Sequence, residues 1–195
     1  MRLISTYAAF AVLTTGLAIN TAVTADDAAA QQHAEEAKAL IKEFATTLQG
    51  ELQAAIKAGG PINAVEVCQD KAPAIAASLS EQSGWQVGRT SLKTRNVALN
   101  TPDQWERAVL EQFEQRKQQG ESADTLAYAE VVEDADGKAF RFMKAIPTGE
   151  VCLACHGKDI QPDLAKKLDA AYPDDQARGY MVGDIRGAFT LLKPL

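Results

Sequence analysis

The chain is poor in the residues that most often carry chemistry. Its 195 residues include three cysteines, two histidines, two tryptophans, four tyrosines and six phenylalanines. With so few metal ligands, each can be weighed individually. Basic charge is also short: 20 Lys and Arg stand against 26 Asp and Glu, a formal net charge of −6. A nucleic-acid binder needs a basic face to neutralise phosphates, so that class is excluded as a partner. No uninterrupted apolar run is long enough to cross a bilayer. What is present, 46% hydrophobic and 24% charged residues, is ordinary for one globular domain.

The N-terminus reads as an address. Arg2 supplies a positive start, and Ala8-Ala9-Phe10-Ala11-Val12-Leu13 through Ile19 a short apolar stretch. Val23-Thr24-Ala25 places small residues before a cleavage point. This layout predicts a secretory signal peptide over 1–25 and a mature domain over 26–195. An uncleaved anchor competes, but Thr14, Thr15 and Asn20 interrupt the stretch. The expectation is a periplasmic protein that does not span the membrane after cleavage. In an oxidising compartment cysteines are usually paired, and three is odd.

Periodicity predicts a helix over 26–58, with Ala37, Ile41, Phe44, Leu48, Leu52 and Ile56 on one stripe. Gly59-Gly60-Pro61 stops it. A second helix starts near Pro61–Asn63, carries Val65, Cys68 and Ala72 on one face, is kinked by Pro73, and ends near Ser83-Gly84. Trp85 to Thr90 alternates as a strand does. Thr101-Pro102-Asp103 opens another helix, with Trp105, Val109 and Phe113 facing inward and Gly120 ending it. Leu126–Val132 and Ala139–Ile146 read as a hairpin around an Asp-Gly turn. A short helix over Pro162–Ala171 and a last strand over Ile185–Leu192 follow. Helices first, then a small antiparallel sheet, is the α+β class in one domain.

Cys152-Leu153-Ala154-Cys155-His156 carries the most specific chemistry. Cys-x-x-Cys-His is the attachment motif of c-type haem. Two thiols at this spacing add to the two vinyl groups of one porphyrin, and the following imidazole is held where it can coordinate the iron. Attachment takes place after export, in the compartment the N-terminus predicts independently. Three other readings compete. A thioredoxin-like redox pair lacks a preceding βαβ unit and leaves His156 unexplained. A Cys152–Cys155 disulfide also makes His156 accidental. A zinc site of Cys68, Cys152, Cys155 and His156 has the right ligand count, but neighbours Cys155 and His156 rarely reach one tetrahedral ion together. The expected cofactor is therefore one covalent haem c, with Cys152 and Cys155 as thioethers and His156 as proximal ligand.

The sixth iron position has few candidates. His33 lies at the start of the first helix, and Met143 and Met181 are the thioethers that remain after signal cleavage. Cys68 is the third thiol. Its place on an apolar helix face equally suits a buried structural cysteine. Met143, on a strand near the attachment loop, is the usual choice for a simple electron carrier. Spacing leaves Cys68 and Met143 close to parity.

A resemblance adds to this. Ala64-Val65-Glu66-Val67-Cys68-Gln69-Asp70-Lys71-Ala72-Pro73-Ala74-Ile75-Ala76 resembles a helix of a family of exported or membrane-tethered single-haem proteins, known chiefly as a domain of unknown function with a PAS-like fold. Arg89 to Asn96, then Asn100-Thr101-Pro102, resembles its second motif; Cys152–His156 and Gly183-Asp184-Ile185-Arg186-Gly187-Ala188 resemble its third and fourth. The resemblance implies a PAS-like antiparallel sheet of about five strands with N-terminal helices, His156 and Cys68 as axial ligands, and Arg95, Asn96 and Arg89 near the haem, where arginine suits the propionates. The competing role for these three residues is to brace the loop after the strand.

Two functions are consistent with this: a redox or electron-transfer haem protein serving a partner protein, and a sensor of redox state or of a small diatomic ligand acting through a separate partner. Fold alone does not choose between them. An enzyme such as a peroxidase would need a distal acid–base group, which His33 has no evident route to supply, so the chain is not expected to be an enzyme.

Overall fold

The computed structural model describes residues 25–135 and 137–195. Residues 1–24 of the expected signal peptide lie outside the described residues, as does Asp136 of the expected hairpin turn. Among the described residues no helix is long and apolar enough to cross a membrane.

Helix α1 (Ala25–Glu66) is a single hydrogen-bonded run broken at Gly59 and Gly60. Gly60 has φ 77°, a left-handed conformation that glycine adopts without steric cost, and Pro61 restarts the helix beyond it. The chain then widens into a π turn, Val67–Lys71, in which the Ala72 amide donates to the Val67 carbonyl. Pro73 supplies the cause. It has no N–H for the Gln69 carbonyl and its ring crowds that carbonyl, so the kink takes the form of one over-wide turn. Helix α2 (Ala72–Ser83) follows, ending on Gly84 at φ 73°.

Strand β1 (Gln86–Thr90) leads to a short helix, α3 (Val97–Asn100), and to α4 (Gln104–Gln118). Helix α4 starts two residues after Pro102, because Asp103 caps it: the Asp103 carboxylate accepts from the Glu106 amide while Glu106 reaches back to the Asp103 amide. Such a box is worth about 1 kcal/mol. Strands β2 (Ala127–Asp134) and β3 (Gly137–Pro147) form the hairpin. After a 3-10 turn (Glu150–Cys152) come α5 (Leu153–His156), α6 (Pro162–Ala171) and β4 (Ile185–Pro194).

The sheet order is β1-β4-β3-β2, with every pair antiparallel. About five strands were expected from the resemblance; four form among the described residues. The connection from β3 to β4 is spent on helical turns and loops carrying Pro162 and Pro173 instead of a further strand. One sheet face packs Phe140, Phe142, Phe189 and Leu191 against Phe44 of α1 and Leu79 of α2. The other packs Met143, Ala145 and Ala188 against Val109, Leu110 and Phe113 of α4. Each fully buried large side chain contributes about 1.5–3 kcal/mol of apolar burial. A third cluster (Val65, Leu164, Leu168 and Tyr172) holds α6 on the C-terminal end of α1, and Cys155 packs against it.

Candidate functional site

The Cys-x-x-Cys-His segment is one tight turn pinned at both ends. Thr148, just before it, exchanges backbone hydrogen bonds with the loop that leads into β4: its amide donates to the Asp184 carbonyl and its carbonyl accepts from Gly183, both at 2.8 Å. Gly157, just after it, donates to the Leu153 carbonyl at 2.9 Å. A Cβ on Gly157 would stand 2.6 Å from that same oxygen, so the turn closes only around glycine. The Tyr180 amide donates to the His156 carbonyl, and Gly179 to Gly157.

His156 is oriented from one side. Its Nδ1 lies 2.8 Å from the Ala177 carbonyl, so Nδ1 carries the proton and Nε2 keeps its lone pair. Tyr180 packs edge-on to the ring at 6.3 Å. Burial, then repulsion from the Arg186 and Arg95 guanidiniums, drives the imidazole pKa down to about 2, so it is neutral. A neutral histidine whose second nitrogen is tied to a carbonyl is the arrangement of metal-ligating imidazoles.

Arg95 braces the turn from below. Its Nη2 donates to the carbonyls of Cys155 at 2.6 Å and Ala177 at 3.2 Å, and its Nε to Asp175 Oδ1 at 3.1 Å. Its side chain is 7% exposed and that of Asp175 2%, so the ion pair is buried. Burial alone would raise the Asp175 carboxyl; hydrogen bonds from Arg95, Arg178 and the Ala177 amide hold it below the ordinary carboxylate range. Arg95 thus grips the backbone on either side of His156, and its charge is answered by Asp175. Asn96 caps α3, accepting from the Leu99 amide at 3.2 Å.

Cys68 sits on the π turn, on the face of the helix that meets the motif. Val65, three residues earlier, shares the cluster that Cys155 packs against, and Lys167 of α6 reaches Glu66 at 3.1 Å. The Cys68 thiol is close enough to influence Cys155, Tyr172 and Arg89 electrostatically. Burial pushes the Cys155 thiol up and the Tyr172 phenol up to about 12, and Cys68 adds to both shifts. Arg89, on β1, places its guanidinium 5.3 Å over the Phe44 ring. Burial lowers its pKa, with Cys68 and Tyr172 opposing.

Cys68, Arg89, Arg95, Cys155 and His156 are therefore brought together, and other candidates are not. Met143 is fully buried in the core beneath α4. Met181 is 55% exposed. His33 stacks with Trp85 and Phe140 and contacts Glu36 and Lys193, at the opposite end of α1 from Cys68. All three cysteines are free, and among the described residues no three His, Cys, Asp or Glu side chains converge as a zinc site would require. Arg186 was not singled out by type or spacing. Its Nε lies 3.2 Å from His156 Nδ1 and 3.4 Å from Nε2. The available signal was its place in the fourth resembling motif, Gly183-Asp184-Ile185-Arg186-Gly187-Ala188, at the head of the last strand. Asp175, in a run of acidic turn residues, gave no such signal.

This donor set fits a haem: two thiols one turn apart, a neutral imidazole whose Nε2 keeps its lone pair, a third thiol on the neighbouring helical turn and guanidiniums around them. Cys152, Cys155 and His156 would hold the group, and Cys68 faces them.

No curated protein matches the chain. Among solved structures, the crystal structure of the cyanobacterial heme-protein Tll0287 matches with a TM-score of 0.64 and 20% identity, over 84% of this chain and 95% of that one. At that identity the likeness establishes the shared fold. A model of the Tll0287-like family matches residues 22–194, nearly the whole chain, and the protein belongs to the Tll0287-like family.

Proposed function

We propose that this is an exported c-type monohaem protein with an electron-transfer role, its haem attached through Cys152 and Cys155 and its iron bound by His156 and by the Cys68 thiolate. The observation that carries the reading is the His156 ring: neutral, with Nδ1 committed to the Ala177 carbonyl, on a turn packed against the helix that bears Cys68. Family membership and the fold shared with a heme-protein support it.

When bound, the haem supplies a one-electron ferric/ferrous couple. The chain's residues do the rest. Gly157 and the Thr148–Gly183 bonds fix the turn, Ala177 orients the imidazole, and Arg95 holds the carbonyl of Cys155. Val151 on the turn, and Met181 and Val182 on the loop bonded to Thr148, are each more than half exposed, and a redox partner protein would approach on this side. Thiolate ligation favours ferric iron, so the potential is expected below that of His/Met cytochromes.

The π turn favours a second reading. A ligand on an over-wide turn, where the Ala72 amide reaches back five residues to Val67, is more easily released than one on a regular helix, which suits a redox or diatomic-gas sensor acting through a separate partner. Gas titration in both oxidation states separates the two: binding after reduction favours sensing, and no binding in either state favours electron transfer.

The primary test is periplasmic expression with cytochrome maturation machinery, followed by intact mass and absorbance. A covalent haem adduct with a Soret band is expected, as is loss of the ferric thiolate signature in Cys68→Ala. Colourless protein, or an unchanged ferric spectrum in the variant, overturns the haem or the ligand assignment respectively.

A further inference from the structure

Two guanidiniums beside the attachment turn have no carboxylate partner among the described residues, in contrast to Arg95. Arg89 lies on β1 over the Phe44 ring, within electrostatic reach of Cys68. Arg186 opens β4, the neighbouring strand. Its Nε points at the His156 ring, and its Nη1 lies 3.3 Å from Ser91 Oγ and 3.5 Å from the Lys93 carbonyl, both weak neutral partners. Burial lowers the pKa of each, and Arg89 and Arg95 both repel Arg186.

Leaving buried cations unanswered is costly, and placing three close together around one carboxylate is costlier. Asp175 is bonded to Arg95 and acts on Arg186 only through space, so Arg89 and Arg186 are the two cations without a bonded carboxylate. One of these reaches the Cys68 side and the other the His156 side. Their complement is a pair of carboxylates arriving with a ligand seated between the two, and the planar fork of arginine suits that geometry.

We propose that Arg89 and Arg186 hold the two propionates of the haem, and that Arg95 and Asn96 do not: Arg95 positions the turn and Asn96 caps α3. The inference rests on the haem reading above. With His156 Nδ1 protonated toward the Ala177 carbonyl and Nε2 on the iron, neither ring nitrogen could accept from Arg186, whose Nε–H would be left for a carboxylate.

The test uses the full-length, haem-loaded protein, comparing wild type with Arg89→Met, Arg186→Met and the corresponding Lys variants. Resonance Raman reads the propionate bending mode, and spectroelectrochemistry reads the midpoint potential. Each Met variant is expected to shift that mode and lower the potential, because a lost cation no longer disfavours ferric iron; each Lys variant recovers most of the potential. Wild-type mode and potential in both Met variants would overturn the assignment. Where Arg186→Met fails to load, Arg89→Met, which makes no contact with the motif, decides alone. A colourless wild-type chain would defeat the haem reading itself, whereas a loaded wild type with insensitive propionates defeats only this assignment.

Discussion

Replacing Asp175 with Asn tests the brace under the attachment turn without touching any candidate ligand. The Asp175 carboxylate accepts from Arg95 Nε at 3.1 Å, Arg95 Nη2 at 3.0 Å, Arg178 Nε at 2.9 Å and the Ala177 amide at 2.9 Å. Asparagine keeps the shape but removes the charge, leaving the Arg95 guanidinium buried against two carbonyls and repelled by Arg186. Breaking a buried pair from one side costs about 3–5 kcal/mol. For a chain of this length that is a fall in Tm of about 6–20 °C. Thermal unfolding by far-UV circular dichroism reads it. The double variant Arg95→Leu/Asp175→Leu should lose less than Asp175→Asn alone, since no buried charge is then uncompensated. The sign with pH follows from the depressed carboxyl. The contribution is fully present above the unfolded pKa of about 3.9 and is lost as pH falls through the lower folded value. The gap between wild type and variant therefore narrows in acid. A single variant within about 1 kcal/mol of wild type at neutral pH, or a double variant worse than the single, would refute the brace.

Three further outcomes are expected. Phe113→Ala, at a fully buried side chain in the core under α4, should cost about 3–5 kcal/mol in urea unfolding, and a loss under about 1 kcal/mol would mean that core is loose. Gly187→Ala places a Cβ 2.4 Å from the Thr90 carbonyl at φ 155°, so β1 should loosen from β4; hydrogen exchange at Gly88 and Thr90 should rise, and unchanged protection would count against that packing. Glu36, held down to about 2 chiefly by its hydrogen bond from Lys193, ties α1 to β4 at an exposed site. Glu36→Gln should therefore cost less than about 1 kcal/mol, with the difference vanishing as pH falls from about 4.3 toward 2; a larger loss at neutral pH would show the tie is not a surface one.

Local chemistry made much of the fold readable in advance. The Gly59-Gly60-Pro61 break, the helix opened after Thr101-Pro102-Asp103 and the four strands read along the chain each depend on residues close in sequence, and each forms near its expected place. The site is a different case, because its parts come from distant segments. Pro73 announces a kink, but that the resulting π turn sets Cys68 beside the motif depends on how α6 packs on the C-terminal end of α1. Arg95 and Arg186 each stand in one of the resembling motifs, and nothing local distinguishes them. Only the partner differs: 80 residues separate Arg95 from Asp175, whereas Arg186 finds an imidazole 30 residues away and no bonded carboxylate among the described residues. Residue type could name the motif; which arginine is neutralised is a property of the folded chain.

That difference bears on how the iron's preference is set in the proposed function. A thiolate from Cys68 pulls toward ferric iron, while every uncompensated cation near the porphyrin pulls toward ferrous. Arg95 contributes little to the second effect, because Asp175 cancels its charge within 3.1 Å. Arg89 and Arg186 form no ion pair with a carboxylate among the described residues, and Asp175 acts on Arg186 only at a distance. In the proposed site these two side chains and the propionates would therefore decide how far the thiolate's pull is offset. The opposing charges also sit on different kinds of support. The thiol rides on a bent helical segment, and the two guanidiniums on adjacent strands of a packed sheet. Movement of the π turn would change the ligand while the cations stay where β1 and β4 hold them. The potential could then shift with ligation alone, which is the behaviour that separates a switching haem from a fixed carrier.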